Sequence, residues 1–345
     1  MHVMEFPRTV ILGENILNKI SDIISYHGLK NPLILSGDTT YKIAGKKIAK
    51  QLNCRSYIVE KTNLAEVKKI EKFMLNKNID CAVGVGGGRI TDAAKLSSAL
   101  TNIHWISVPT SPSNDSMSSN SIAFLLSREV EESFKDRPKV HPPIAIFADM
   151  NIIEKAPKRM LAAGCGDLIS NYTAVKDWKL ANELKGEYFS DYASSLSLMS
   201  ATLLMENVKI FSEDISESYR IVVKGLSSSG VAMSIAGSSR PASGSEHMFS
   251  HALDLLGSNA LHGEQSGIGT IMMMHLHRDN WEKVRETLKF VSAPTNSEEI
   301  GIDEETIVKA LTIAHKIRER YTILGTKGLT TKAARDLAKK TKVIS

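Results

Sequence analysis

A chain of 345 residues, 42% hydrophobic and 23% charged with a formal net charge of +5, has the composition of a globular protein of two domains, each with its own core. The charge is too small and too scattered among acids to argue for nucleic acid, and no run of about 18 apolar residues marks a membrane span. Cys54, Cys81 and Cys165 are the three cysteines; an odd number without CxxC spacing excludes a disulfide framework and a thiolate zinc cluster and points to the cytoplasm.

The first stretch, MHVMEFPRTVILGENIL, lacks the basic-then-apolar layout of a signal peptide and reads as mature protein. NPLILSGD (31–38) is a short apolar strand bounded by turn residues, and YKIAGKKIAKQL (41–52) has helical spacing at Ile43, Ala44, Ile48 and Leu52. CRSYIVE is a second strand and LAEVKKIEKFMLNKN a helix with its charges outside. IDCAVGVGGG is a third strand running into glycines, ITDAAKLSSAL a helix, and HWISVPTSPSND a fourth strand ending in a polar loop. SIAFLLS and PPIAIFAD read as two further strands, an antiparallel excursion with a charged turn between them. Strands separated by helices imply a doubly wound, mainly parallel sheet. From about residue 155 strand-like runs vanish, and helical patterns follow at 157–182, 189–212, 216–235, 245–256, 264–277, 280–292, 303–321 and 330–341. The expected organisation is an α/β domain over 1–153 and an all-helical domain over 154–345.

Two loops and one cluster carry chemistry. VGVGGGRITDAAK (83–95) joins a strand to a helix, where backbone N–H groups suit an anion and glycines admit a pyrophosphate. It fails the G-x-G-x-x-G fingerprint because Arg89 holds the third position, and it has no P-loop lysine. Taken alone it is also a tight turn with no ligand. VPTSPSNDSMSSNS (108–121) follows the next strand, is dense in hydroxyls and carries Asp115. Both loops belong at the carboxyl ends of parallel strands, where nucleotides sit. Asp38, after the first strand, suits a ribose 2′-hydroxyl, whereas Thr39, Thr40 and Lys42 suit a 2′-phosphate. The residues leave that choice open.

In the second half, AAGCGDLISN puts Asp167 after two glycines, and SGSEHMFSHALDLLGSNALHGEQSG holds His247, His251 and His262. The i, i+4 pair of histidines shares one helix face. One aspartate and two histidines make a catalytic zinc set with a fourth position open, and the absence of HExxH argues against a zinc protease. His2, His27, His104, His141, His275, His277 and His315 take the ordinary reading of satisfied core or surface residues, and Met272 to Met274 that of core filling.

In order, the GGG turn (Gly86–Gly88), the PT loop from Pro109 to Asp115, the G-x-GD from Gly164 to Asp167, the H-x-x-x-H helix and the final HGE from His262 to Glu264 resemble one superfamily. It is that of the metal-dependent polyol dehydrogenases, which includes glycerol dehydrogenase, the iron-type alcohol dehydrogenases and dehydroquinate synthase. GSSRPASGSEH (237–247) is similar to the branch acting on sn-glycerol 1-phosphate. The resemblance implies a dehydroquinate synthase-like fold, NAD(P)H, and zinc (iron or nickel in some relatives) held by Asp167, His247 and His262. It makes His251, Asp115 and Asp167 the catalytic and substrate-facing group, with Arg240, Ser243 and Ser245 toward a phosphate. Gly86, Gly87, Gly88, Arg89, Ile90, Thr91, Asp92, Thr110, Ser111, Ser113 and Ser119 would line the cofactor. The implied reaction is reduction of dihydroxyacetone phosphate to sn-glycerol 1-phosphate for archaeal-type lipids, in a homo-oligomer. The rivals are a glycerol dehydrogenase on unphosphorylated substrate and a dehydroquinate synthase-like lyase.

Overall fold

A computed structural model describes residues 3–345; His2 lies outside them. The chain divides into two compact units, one of residues 3–112 and 116–157, the other of residues 113–115 and 158–345.

The first unit runs β1 (Thr9–Gly13), α1 (Ile20–Tyr26), β2 (Pro32–Ser36), then α2 (Asp38–Thr40) and α3 (Lys46–Leu52) joined through a π-helical turn at Tyr41–Gly45. β3 (Arg55–Ile58), α4 (Leu64–Asn76), β4 (Cys81–Gly86), α5 (Gly88–Thr101) and β5 (His104–Pro109) follow, then α6 (Phe124–Ser133), β6 (Ala145–Asp149) and α7 (Met150–Ile153). The six strands form one sheet in the order β1-β6-β5-β4-β2-β3, every pairing parallel. Parallel neighbours need crossover helices, so both faces are covered. Alternation along the strands divides the core accordingly. Ile34, Val83, Val85, Ile106, Val108 and Phe147 pack with Leu17, Ile20 and Ile48 on one face. Leu33, Leu35, Ala82 and Trp105 pack with Ile70, Met74, Ala93 and Ala94 on the other. The chain reverses its direction of strand addition between β2 and β4, which places the switch point at the loops after Ser36 and Gly86.

Two elements differ from the sequence expectation. Residues 124–133 are helical, and β6 is parallel to both its neighbours, so there is no antiparallel excursion. The buried set Phe124, Leu126, Ser127 and Val130 follows a helical face once REVEES is read with SIAFLLS, the longer window that decides the period. The first strand, TVILG, went unpredicted; it is an edge strand, half-exposed along its length, and offers little apolar alternation.

The second unit is helical throughout the described residues: α8 (Lys158–Ile169), α9 (Asn171–Lys185), α10 (Asp191–Glu206), α11 (Ile210–Glu213), α12 (Ile215–Ala236), α13 (Ser245–Leu255), α14 (His262–Leu276), α15 (Trp281–Phe290), α16 (Glu304–Ile313) and α17 (Thr331–Lys340). Expected helix 157–182 is broken at Ser170 into α8 and α9, and 303–321 ends early, with a 3₁₀ turn at Ala314–Lys316. Side chains cap these ends in the usual way: Asp214, Asn280, Asp303 and Thr330 each accept a backbone N–H three residues on. Asp177, fully buried on α9, accepts the N–H groups of Ser245 (2.6 Å) and Ile323 (2.7 Å) and lies 3.0 Å from His277 Nε2. It ties three distant segments to one helix.

The α8 and α14 backbones touch. A Cβ on Gly166 would lie 2.1 Å from the carbonyl oxygen of Gly263, and one on Gly263 would lie 1.9 Å from that of Ala163. Both obstacles are backbone, so relief requires the helices to part. Gly263→Ala should therefore lower stability by about 1–3 kcal/mol or more, measured by denaturant unfolding. Gly13→Ala, whose Cβ meets only the Ile16 side chain at 3.2 Å, should cost clearly less.

Candidate metal and nucleotide sites

Three helices of the second unit bring the metal candidates together. Asp167 is in the last turn of α8, His247 is the third residue of α13, and His262 opens α14. The Nε2 atoms of His247 and His262 each lie 3.7 Å from Asp167 Oδ1, and the three ligand atoms fall within 4.8 Å of one another. A tetrahedral ion with ligands at about 2.0–2.1 Å sets them about 3.4 Å apart. The observed spacing is close to that and too long for good hydrogen bonds.

The remaining atoms of these side chains are already committed. His247 Nδ1 donates to Glu246 Oε1 (2.8 Å), a buried carboxylate that also accepts from Gly244 N (2.6 Å) and, through Oε2, from Thr173 Oγ1 (2.6 Å). Ser250 Oγ donates to Gln265 Oε1 (2.7 Å), leaving its lone pairs for the His262 Nδ1 proton at 3.2 Å. Both rings are thereby oriented with Nε2 toward Asp167, the orientation that a shared cation requires. Asp167 Oδ2 accepts from Asp115 N (3.0 Å), and Asp115 Oδ2 accepts from Ser229 Oγ (3.0 Å). Asp115 is thus one hydrogen bond from the cluster, within the helical unit.

Electrostatics separates the three histidines. Burial would lower His247, but its contacts with Asp167 and Glu246 win and raise it to about 9. Burial lowers His262 to about 4, with the charges of His247 and Arg318 acting in the same sense. His251 is pushed well below its ordinary value by burial first, then by Arg318, His262 and His247. The ring of His251 stacks on that of His262, centroids 5.7 Å apart, and its Nδ1 lies 3.6 Å from Asp254 Oδ2. It sits beside the three-donor set and is not one of its members.

In the first unit the glycine turn caps β4 in register with the end of β5, Gly86 opposite Pro109. A Cβ at Gly86 would lie 2.5 Å from Ile90, so the glycine lets α5 close onto the strand. Gly87, Gly88, Arg89 and Ser111 are partly or fully exposed around this turn, while Ile90, Thr91 and Thr110 are buried. Thr91 Oγ1 bonds Gly88 O (2.8 Å) and Ser116 Oγ (3.0 Å). Ser113 groups with the helical unit.

Asp92 and Ser119, expected to face a cofactor, face inward. Asp92 accepts from Ala123 N (2.9 Å) and lies 3.7 Å from Lys95, and Lys95 Nζ donates to Ser119 Oγ (3.2 Å) and Ser121 O (2.6 Å). Lys95 is 1% exposed; the sequence signal for it, an i, i+3 pair with Asp92, was there to be read. Asp38 pairs with Lys42 at 2.8 Å in solvent, which leaves the ribose question where the sequence left it.

Arg240 also departs from expectation. Its guanidinium grips Glu187 through Nε and Nη2 and gives Nη1 to Tyr321 O at 2.9 Å. Of the residues expected beside Arg240, Ser245 has its N–H taken by Asp177, and the neighbouring Gly244 N–H is taken by Glu246. Sequence reasoning also missed Glu246, Ser250, Ser229 and Arg318.

Residues 11–157 match the family model of iron-containing alcohol dehydrogenase. Over the whole chain it is 53% identical to a glycerol-1-phosphate dehydrogenase [NAD(P)+] of Pyrococcus abyssi, the alignment covering 100% of both. A relative of the same description from Methanosarcina mazei is 47% identical, with 99% of this chain and 97% of that one aligned. Among solved structures, glycerol dehydrogenase from Schizosaccharomyces pombe superposes with a TM-score of 0.79 at 19% identity over 99% of this chain and 90% of that one. A probable glycerol dehydrogenase from Sinorhizobium meliloti 1021 gives 0.80 at 18% over 100% of both. These two share the fold: an α/β unit followed by a helical one. With full-length identity near one half, the chain belongs to the glycerol-1-phosphate dehydrogenase family of the iron-containing alcohol dehydrogenases.

Proposed function

We propose that this chain reduces dihydroxyacetone phosphate to sn-glycerol 1-phosphate with NAD(P)H and one proton, releasing NAD(P)⁺, and so supplies the glycerol backbone of archaeal-type phospholipids. The observation that carries the reading is a three-donor set with ring orientations fixed by the chain itself, on a protein half identical over its full length to enzymes of that description. Asp167, His247 and His262 would hold the ion; zinc fits the donor set, and iron or nickel fits it too. When bound, the ion supplies Lewis acidity at the substrate carbonyl.

The chain's own residues do the remaining work. Asp115, oriented by Ser229 and by its backbone bond to Asp167, is placed to position a substrate hydroxyl. His251 is kept uncharged by burial and by Arg318, so its neutral imidazole is available to hydrogen-bond a substrate oxygen and adds no positive charge beside the ion. Gly87, Gly88, Arg89 and Ser111, at the strand ends next to the switch point, are the residues that support a pyrophosphate site.

A homo-oligomer accords with exposed Val3, Met4, Phe6 and Val10 on and before edge strand β1. A cytoplasmic location accords with three free cysteines, whose thiols burial pushes up, Cys54 to about 11. Among the described residues no helix is long and apolar enough to cross a membrane.

The deciding assay follows NADH and NADPH oxidation with dihydroxyacetone phosphate and assigns product chirality. Net turnover to the sn-1 enantiomer is expected; turnover of dihydroxyacetone alone, or cofactor returned unchanged, refutes the reading. Replacing His247 or His262 by Ala should abolish both stoichiometric metal, measured by mass spectrometry, and activity. His251→Ala should keep its metal while losing rate, and metal loss there would break the assignment. Ser250→Ala removes the acceptor for His262 Nδ1 together with the donor to Gln265 Oε1 and should weaken metal binding about 10–100-fold, read by competition with a chromogenic chelator.

A further inference from the structure

Behind His262 the first turn of α14 carries Glu264 and Gln265, both buried and neither a member of the three-donor set. Glu264 fastens backbone: its Oε2 accepts from Leu261 N (2.8 Å), and Arg159 of α8 forks onto its two oxygens at 2.6 and 2.7 Å. Gln265 has different partners. Its Nε2 donates to Ser258 Oγ (2.9 Å) and Ala260 O (3.4 Å), both in the connection from α13 to α14, and the Asp254 carboxyl bonds the same amide. Its Oε1 accepts from Ser250 Oγ at 2.7 Å.

A count of donors fixes each direction. A peptide carbonyl only accepts, so the NH₂ end of the amide must face Ala260 O, and Oε1 then faces Ser250. Oε1 also only accepts, so the single hydroxyl proton of Ser250 is used on it. Toward His262 Nδ1, 3.2 Å away, Ser250 Oγ is left to accept. Ser250 and Gln265 are both fully buried, which shields these bonds from bulk water.

Resting on the metal set given above, we propose that Gln265 is a positioning residue for the ion at His262. By fixing the Ser250 hydroxyl as an acceptor it holds the imidazole with Nε2 toward Asp167 Oδ1, and the α13–α14 connection sets Gln265 in turn through Ser258 and Ala260. An apolar residue of similar length takes away the acceptor for the Ser250 proton. That proton is then free to turn to His262 Nδ1, which becomes the acceptor, and Nε2 carries the proton that an ion must displace.

Zinc affinity is measured on the full chain by competition with a chromogenic chelator for wild type, Gln265→Met, Ser250→Ala, the double variant and Ser258→Ala. Thermal unfolding of each zinc-loaded protein is followed alongside. Gln265→Met should bind zinc about 10–100-fold more weakly. The double variant should match Ser250→Ala to within about twofold, because Gln265 acts through the hydroxyl that Ser250→Ala has already removed. Ser258→Ala, at a half-buried position, leaves Ala260 O to orient the amide and should lose about twofold to tenfold. It tests the relay even where Gln265→Met does not fold. Earlier unfolding with zinc affinity kept would mark a structural role for Gln265 and overturn the proposal, as would losses that add in full in the double variant. A wild type that binds no stoichiometric zinc would remove the metal set and this assignment together. A wild type that binds it, with Gln265→Met and Ser258→Ala of equal affinity, would remove Gln265 alone.

Discussion

Two imidazoles can turn Nε2 toward one carboxylate oxygen, ready to share a cation with it, only when their other nitrogens are already spoken for. Here Glu246 takes the Nδ1 proton of His247, Ser250 takes that of His262, and Asp115 N holds the far oxygen of Asp167. Leaving two buried carboxylates, Asp167 and Glu246, without a cation would cost several kcal/mol. The raised affinity of His247 for a proton is the same fact seen from the other side: the pocket demands a positive charge at that place. Much of the geometry for an ion is therefore present in the protein itself, and the ligands need little rearrangement.

That geometry depends in turn on how closely three helices approach. Gly166 precedes Asp167 and Gly263 follows His262, and it is at these two glycines that α8 and α14 touch backbone to backbone. Gly269 repeats the device against α13, where a Cβ would lie 2.9 Å from the carbonyl of Glu246, the residue before His247. Each ligand sits one residue from a point of closest approach, where the backbone has least freedom to drift. The glycines of GCGD and HGE are packing residues first, and they are adjacent to ligands because packing at that point fixes ligand positions.

The patterns that were legible in the sequence are those whose physics is local. Buried parallel strands such as LILS and AVGVG read as apolar runs, the long helices read by their period, and the His247–His251 pair with GD and HGE marked the ligand set. SIAFLLS misled because a short apolar run suits strand or helix alike; only the charges of REVEES on the opposite face settle it. β1 escaped notice because an edge strand need not alternate strongly. The pairing of Arg240 with Glu187 was not legible because the two are 53 positions apart. No local spacing announces a long-range ion pair, and none announces that Ser245 N is bound by an aspartate of another helix.

Asp92 and Lys95 show the same limit within one turn of helix. A fully buried ammonium is costly unless each of its protons finds a partner. Lys95 has Ser119 Oγ, Ser121 O and Asp92, with the face of Trp105 5.8 Å away. Asp92 is raised by burial, against the pull of Lys95 and the N–H of Ala123. Such a pair contributes little net stability, since apolar residues of similar volume often serve as well. What apolar residues cannot do is bond the backbone at 121 and 123 and the hydroxyl at 119, and so fix the end of a serine-rich loop that has almost no core of its own. The loop's shape is thus set from inside by α5, the same helix whose first turn carries Gly88 and Arg89. Turn and loop are positioned by one rigid element, and the residues left facing outward can keep a constant spacing for whatever they bind.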